Sequence, residues 1–140
     1  MTGSNCTLYN VTNKTLFNVR FHDAYNGADY TILAGESRNF EVWLPLVTEP
    51  PSTLHVLTPS GGRRLLANLC GKSDGDQLIT VADSTHSVAF PTHISTPLVS
   101  SKGSLTIEPI DHPKYRIYCY RHHPVESDDL MAISTAIQVD

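Results

Sequence analysis

A chain of 140 residues with 40% hydrophobic and 17% charged side chains is long and apolar enough to close a core as a single domain spanning 1-140, and a disordered composition is excluded. The formal net charge of -4 leaves no global positive field for phosphates, which sets nucleic acid aside as a partner. The N-terminus MTGSNCTLYN has neither a basic region nor an apolar run, and no stretch approaches about 18 uninterrupted apolar residues. The expectation is therefore a soluble chain without a signal peptide or spanning helix, cytoplasmic as made or released by a non-classical route.

Asn13-Lys14 predicts a hairpin between Cys6–Val11 and Thr15–His22, where Phe17, Val19 and Phe21 alternate with Asn18, Arg20 and His22. Asn26-Gly27 marks a turn, Asp29–Leu33 a short strand and Ala34-Gly35-Glu36 another turn, after which Phe40, Val42 and Leu44 repeat the alternation. Prolines at 45, 50 and 51 make Pro45–Ser52 a loop, and Leu54 and Val56, with His55 and Leu57 between and after them, restart the pattern. In the stretch TPSGGRRLLANLCGKSD, Pro59-Ser60-Gly61-Gly62 turns the chain, Leu65–Cys70 forms a short core strand and Gly71–Asp76 turns it again.

Gln77–Ala82, Ser87–Phe90, Ser104–Ile107 and Lys114–Arg121 follow as strands separated by Asp, Ser, Gly and Pro clusters. In DLMAISTAIQVD, Met131, Ile133, Thr135, Ile137 and Val139 alternate, while Leu130, Ile133 and Ile137 also fall near one helical face. The β-branched residues tip the segment toward a strand. About eight to eleven short strands without a long helix, tandem repeat or low-complexity tract describe an all-β sandwich or barrel. Variable strand lengths and irregular loops favour a single-domain antiparallel β-sandwich.

Seven histidines raise the question of a metal or acid-base site. On a strand, His122 and His123 point to opposite faces, and His86 and His93 are separated by a Pro-containing loop, so no metal site is assigned. Asp23 beside His22 and Asp111 beside His112 lack, by adjacency alone, the geometry of an acid-base pair. A ribonuclease-like combination of histidine, acid and Lys or Arg is not singled out by any spacing. Ser60 and Ser73 lack the nucleophile elbow, and no Gly-rich loop precedes a helix. No catalytic residue and no cofactor are assigned, and the reading leans away from an enzyme.

The patterns Asn5-Cys6-Thr7, Asn10-Val11-Thr12 and Asn13-Lys14-Thr15 match glycosylation acceptors, which matter only in a secretory lumen; strand-and-turn chemistry is the reading preferred. Cys6, Cys70 and Cys119 lack zinc spacing and read as packed thiols, with a Cys6–Cys119 or Cys70–Cys119 disulfide left open. Amphipathic rings at Tyr25, Tyr30, Trp43, Tyr115, Tyr118 and Tyr120 suit sugar stacking or a bilayer headgroup level, with Trp43 at a strand end the foremost. Basic residues cluster at Arg63-Arg64 and along Lys114, Arg116 and Arg121.

Pro59, Asn68 and Cys70-Gly71-Lys72-Ser73-Asp74 resemble a segment of the aegerolysins, small acidic β-sandwich proteins in which a Pro-containing turn and a strand with Asn lead into Cys-Gly-Arg-Ser-Asp. The Asn-rich N-terminal turn, the segment FHDAYNGAD and the C-terminal YRIYCY and LMAISTAIQVD follow a compatible order. With one tryptophan, the chain lacks that family's tryptophan-rich loops and its Trp-Asp-Cys-Pro-Trp segment.

The resemblance implies a non-enzymatic protein that recognises a lipid headgroup or membrane, recruiting a pore-forming partner in a cytolytic or defence system. The ligand-binding set is Trp43, Tyr25, Tyr30, Tyr118 and Tyr120, with Arg63, Arg64 and Lys72 available to a phosphate-bearing headgroup. The alternative is a β-sandwich lectin that binds a glycan, and a nuclease-like toxin stands third. A homo-oligomer is left open.

Overall fold

The computed structural model describes residues 7–45, 49–58, 61–71, 77–82, 87–92, 103–111, 114–120, 130–133 and 137–138. Among them the chain forms β1 (Thr7–Asn13), β2 (Val19–His22), β3 (Asp29–Ile32), β4 (Ser37–Trp43), β5 (Ser52–Leu57) and β6 (Arg63–Gly71). It continues with β7 (Gln77–Ala82), β8 (Ser87–Thr92), β9 (Ser104–Asp111), β10 (Lys114–Tyr120), β11 (Leu130–Ile133) and β12 (Ile137–Gln138).

The strands form a β-sandwich. One sheet runs β11-β10-β9-β1-β4, with β12 also paired to β10, and the other runs β3-β2-β5-β6-β7-β8. Pairing is antiparallel except between β1 and β9, which run parallel from Asn10 opposite Ser104 to Asn13 opposite Ile107. The predicted hairpin from the first strand into Thr15–His22 is corrected: β1 pairs with β4 and β9, whereas β2 pairs with β3 and β5 in the other sheet. The reason is local. Asn13 Nδ2 donates to the Phe17 carbonyl at 2.7 Å and the Phe17 N–H donates to the Thr15 hydroxyl at 3.2 Å, so residues 15–17 turn and the strand begins only at Val19.

The core lies between the sheets. Leu8, Val11, Val42, Leu105, Ile107, Tyr115, Ile117 and Cys119 come from one side and Val19, Phe21, Ile32, Leu54, Val56, Leu66, Ala67 and Leu69 from the other, all buried in one cluster. The alternation of β2, β5 and β10 places every second side chain there, each large one worth roughly 1.5–3 kcal/mol when fully buried. In β6 a bulge opposite Leu54 and His55 brings two successive residues, Leu66 and Ala67, into the core.

The described residues of the last segment are strand, as β-branching indicated, in β11 and β12, both paired with β10. The strands also outnumber the predicted set among the described residues alone. Pro91 sits on β8, which among the described residues ends its sheet, where a missing N–H is tolerated. Pro109 lies in β9 beyond the last β1 pair at Ile107. No helix among the described residues is long and apolar enough to cross a membrane.

Candidate functional site

The register of the ladders sorts the surface into two ends and two outer faces. β1, β3, β5 and β9 finish at one end, where β2, β4, β6 and β10 begin, because Val19 lies opposite both Ile32 and Val56, Thr12 opposite Ser37, Leu57 opposite Arg63 and Asn13 opposite Ile107. Asn13, fully buried, organises this end. Its Nδ2 donates to the carbonyls of Phe17, Ile32 and Leu33 at 2.7 to 3.2 Å, and its Oδ1 accepts from the Thr15 N–H and hydroxyl. Its backbone N–H donates to the Glu36 carbonyl and its own carbonyl accepts from Gly35.

One side chain thus fixes both the 14–18 and the 33–36 turns. These turns hold large apolar residues out in solvent: Leu16 is 87% and Leu33 52% exposed, and Ile110 on the overhang of β9 is exposed at the same end. Exposed Lys14, Arg63, Arg64 and Lys114 stand around them, with Asp111 exposed nearby and the Glu36 carboxylate engaged by the Leu33 N–H. Asn18 ties in the neighbouring strands, its Oδ1 accepting from the Ala34 N–H and its carbonyl from the Leu57 N–H. An aliphatic tip on braced turns, rimmed by cations, is suited to a surface that is apolar within and anionic at its boundary.

The opposite end carries Tyr25 in the β2–β3 turn, Trp43 closing β4, and Tyr120 closing β10 opposite Leu130. Trp43 and Leu130 are exposed, and Tyr25 and Tyr120 are half-buried. Burial first, then the neighbouring Glu108, Tyr118 and Cys119, raise the Tyr120 phenol above its ordinary pKa. Tyr118 lies on the same outer face as Tyr120, opposite Thr106 of β9, and Ser104 and Thr106 beside them are buried. Farther across this face, Asn10 Nδ2 donates to Ser37 Oγ and Asn39 Oδ1, while Thr12 Oγ1 donates to Asn10 Oδ1.

On the outer face of the second sheet, Arg20 and His22 of β2, Asp29 of β3, His55 of β5 and Arg63 of β6 gather. His22 Nδ1 and Asp29 Oδ1 lie 2.8 Å apart, both groups exposed. Arg20 and His55 face each other directly in the ladder, yet Arg20 Nε and His55 Nδ1 are sheltered from water and have no hydrogen-bond partner. Such an unmet group costs about 1–3 kcal/mol. Burial first, then Arg63, Arg20 and His22, hold the His55 imidazole below its ordinary pKa, with Asp29 acting in the opposite sense.

The residues singled out from sequence do not converge. Arg63 and Arg64 lie at the basic end, Tyr25, Trp43 and Tyr120 at the other, and Tyr118 on an outer face. Tyr30 points inward, its ring 5.0 Å from Phe40 and 6.0 Å from Phe21, with the Arg38 guanidinium 5.5 Å from its centroid. Lys72, Cys6, Asn5, Pro59, Ser60, Arg121 and histidines 86, 93, 112, 122 and 123 lie outside the described residues, as do Thr135 and Val139.

Asn10 and Asn13, read as glycosylation patterns, are buried and hydrogen-bonded, which fits strand-and-turn chemistry. Among the described residues no group of three or more His, Cys, Asp or Glu is placed to hold a metal. Sequence reasoning missed Leu16, Leu33, Arg20 and His55. A signal existed for Leu16, which sits in phase with Asn18, Arg20 and His22 rather than with the buried Phe21. The polarity of Arg20 and His55 was legible, but their pairing across two strands was not. No protein-family model, curated protein or solved structure matches the chain.

Proposed function

We propose that the protein is a non-enzymatic membrane-binding module that docks on anionic bilayers through the end bearing Leu16, Leu33 and Ile110. The observation that carries this reading is the exposure of Leu16 and Leu33 on turns both fastened to buried Asn13. A solvent-exposed leucine on a turn that is already ordered enters a bilayer without a further cost in backbone entropy. Each leucine inserted contributes roughly 1.5–3 kcal/mol, and each Lys or Arg near an anionic surface about 1 kcal/mol. Adsorption of this kind is reversible, as the aegerolysin resemblance implies, and recruitment of a larger pore-forming partner would follow it.

The test is co-sedimentation with vesicles of phosphatidylcholine alone and mixed with phosphatidylserine. Wild type is expected to pellet with the anionic vesicles and to release as salt rises. The Leu16→Ser, Leu33→Ser double variant is expected to bind roughly tenfold or more weakly with unchanged thermal stability. Equal binding by wild type and double variant would remove this end of the sandwich as the docking surface.

A carbohydrate-binding lectin is the second reading. It is favoured by Tyr118 and Tyr120, half-buried rings two residues apart on one outer face of β10, an arrangement suited to stacking on a sugar ring. Competition of vesicle binding by free sugars, or retention on a glycan array that Tyr118→Ala abolishes, would establish the lectin reading instead.

A further inference from the structure

We propose that the outer face of β2, β5 and β6 holds a binding site for a tetrahedral oxyanion, phosphate or a phosphate monoester, built from Arg20, His55 and Arg63. Arg20 and His55 are ladder partners on adjacent strands, and Arg63 stands opposite Leu57, two residues along from His55 on the same face. Strand spacing of about 4.8 Å and a two-residue step of about 7 Å put these long side chains within reach of one small anion. The chemistry is that of phosphate recognition, two guanidinium forks and an imidazole.

Two further observations favour an anion. Arg20 Nε and His55 Nδ1 have no hydrogen-bond partner and are closed to water as the face stands, so an anion engages them only as the two side chains turn outward toward it. The carboxylate at hand, Asp29, is taken by His22 at 2.8 Å. The groups facing His55 are Arg20 and His22 from β2, Asp29 from β3 and Arg63 from β6, predominantly cationic, and their charge disfavours the imidazolium. A bound dianion offsets that repulsion, so anion binding and His55 protonation reinforce each other. The site lies on a sheet face and shares Arg63 with the rim of the membrane-docking end, whereas Arg20 and His55 belong to the face alone.

The experiment is a titration of isotopically labelled protein with inorganic phosphate, and with sulfate, which stays dianionic across the pH range, followed through the His55 ring resonances. A saturable shift is expected, with the His55 pKa rising in the presence of sulfate and sulfate binding tightening as pH falls from about 7.5 to 5.5. Arg20→Gln and His55→Gln are expected to weaken binding roughly tenfold or more, and Arg63→Gln at least about threefold. Arg116→Gln on the other sheet should change nothing.

Arg63 is exposed, so Arg63→Gln keeps the test open if Arg20→Gln fails to fold. His55 resonances that do not move, shifts that do not saturate, or binding unchanged in all three variants would overturn the site. Vesicles carrying phosphatidic acid distinguish the source of the phosphate. Loss of vesicle binding in His55→Gln assigns a lipid headgroup, whereas loss of free phosphate binding with vesicle binding retained assigns a soluble phosphate; both outcomes support the site. The Leu16→Ser, Leu33→Ser variant is expected to titrate with phosphate as wild type does, which separates the oxyanion site from the membrane reading.

Discussion

Arg38 on β4 donates from Nη1 to the backbone carbonyl of Thr31 on β3 at 2.9 Å, joining the edge of one sheet to the edge of the other. Its guanidinium also lies 5.5 Å from the centroid of the Tyr30 ring, which stacks with Phe21 and Phe40 from the two sheets. Bond and ring contact act at the same seam. Arg38→Ala is expected to lower stability by about 1–2 kcal/mol, read as a reduced denaturant midpoint with unchanged slope. Arg38→Lys should recover little, because an ammonium lacks the planar fork. An unchanged midpoint in Arg38→Ala would mean that the seam closes without it.

Asn13→Asp keeps the acceptor for Thr15 but removes the N–H groups that serve the Phe17, Ile32 and Leu33 carbonyls, and it places a charge in a buried site. The expected loss is about 3 kcal/mol or more, visible in chemical denaturation. Asn13→Ala should cost less than the aspartate while still loosening both turns. An aspartate variant as stable as wild type would contradict the bonding described for this side chain.

The β3–β4 turn is closed by the Glu36 N–H donating to the Leu33 carbonyl at 2.8 Å, with Gly35 at φ 79 in the left-handed region. A Cβ there would meet open space, so the penalty for substitution is conformational rather than steric crowding by neighbours. Gly35→Ala should lose about 1 kcal/mol and Gly35→Asn distinctly less, since asparagine tolerates this region. Equal losses for the two would point to a different origin.

His55 is held below its ordinary value of 6.5, first by burial and then by Arg63, Arg20 and His22. The unfolded chain therefore takes up a proton at a pH where the folded protein does not. The stability contributed by the neutral ring is present above 6.5 and is lost as pH falls through the folded-state value. His55→Gln should flatten the dependence of unfolding free energy on pH below 6.5, and an identical profile for wild type and variant would exclude His55 as its source. At the alkaline end, burial raises Tyr115 above 10.0, so its contribution is present below that value and lost as pH rises through the folded pKa.

The alternation of Val19, Phe21, Leu54, Val56, Tyr115, Ile117 and Cys119 was enough to read strands and a sandwich, because side-chain parity is a local property. Which strands pair is set by distant contacts, and the predicted hairpin failed at Asn13, whose side chain turns the chain across to the other sheet. The same distinction governs the sites. Arg63 and Arg64 were visible as a basic pair, but their company with Leu16 and Leu33 depends on strand order. Tyr30 looked like a surface ring until its register opposite Phe21 placed it inward. Arg20 and His55 become neighbours only when β2 lies against β5.

The parallel pairing of β1 with β9 brings Asn10 beside Ser104. On a ribosome, β1 emerges well before β9, and β4 can cover one of its edges early, while the other remains open until β9 has been made. Its sheet is therefore completed late, after all the described strands of the other sheet, β2, β3 and β5 to β8, have become available to pair. Chaperone capture or misassociation of truncated chains should concentrate on that exposed β1 edge and cease once β9 has been synthesised.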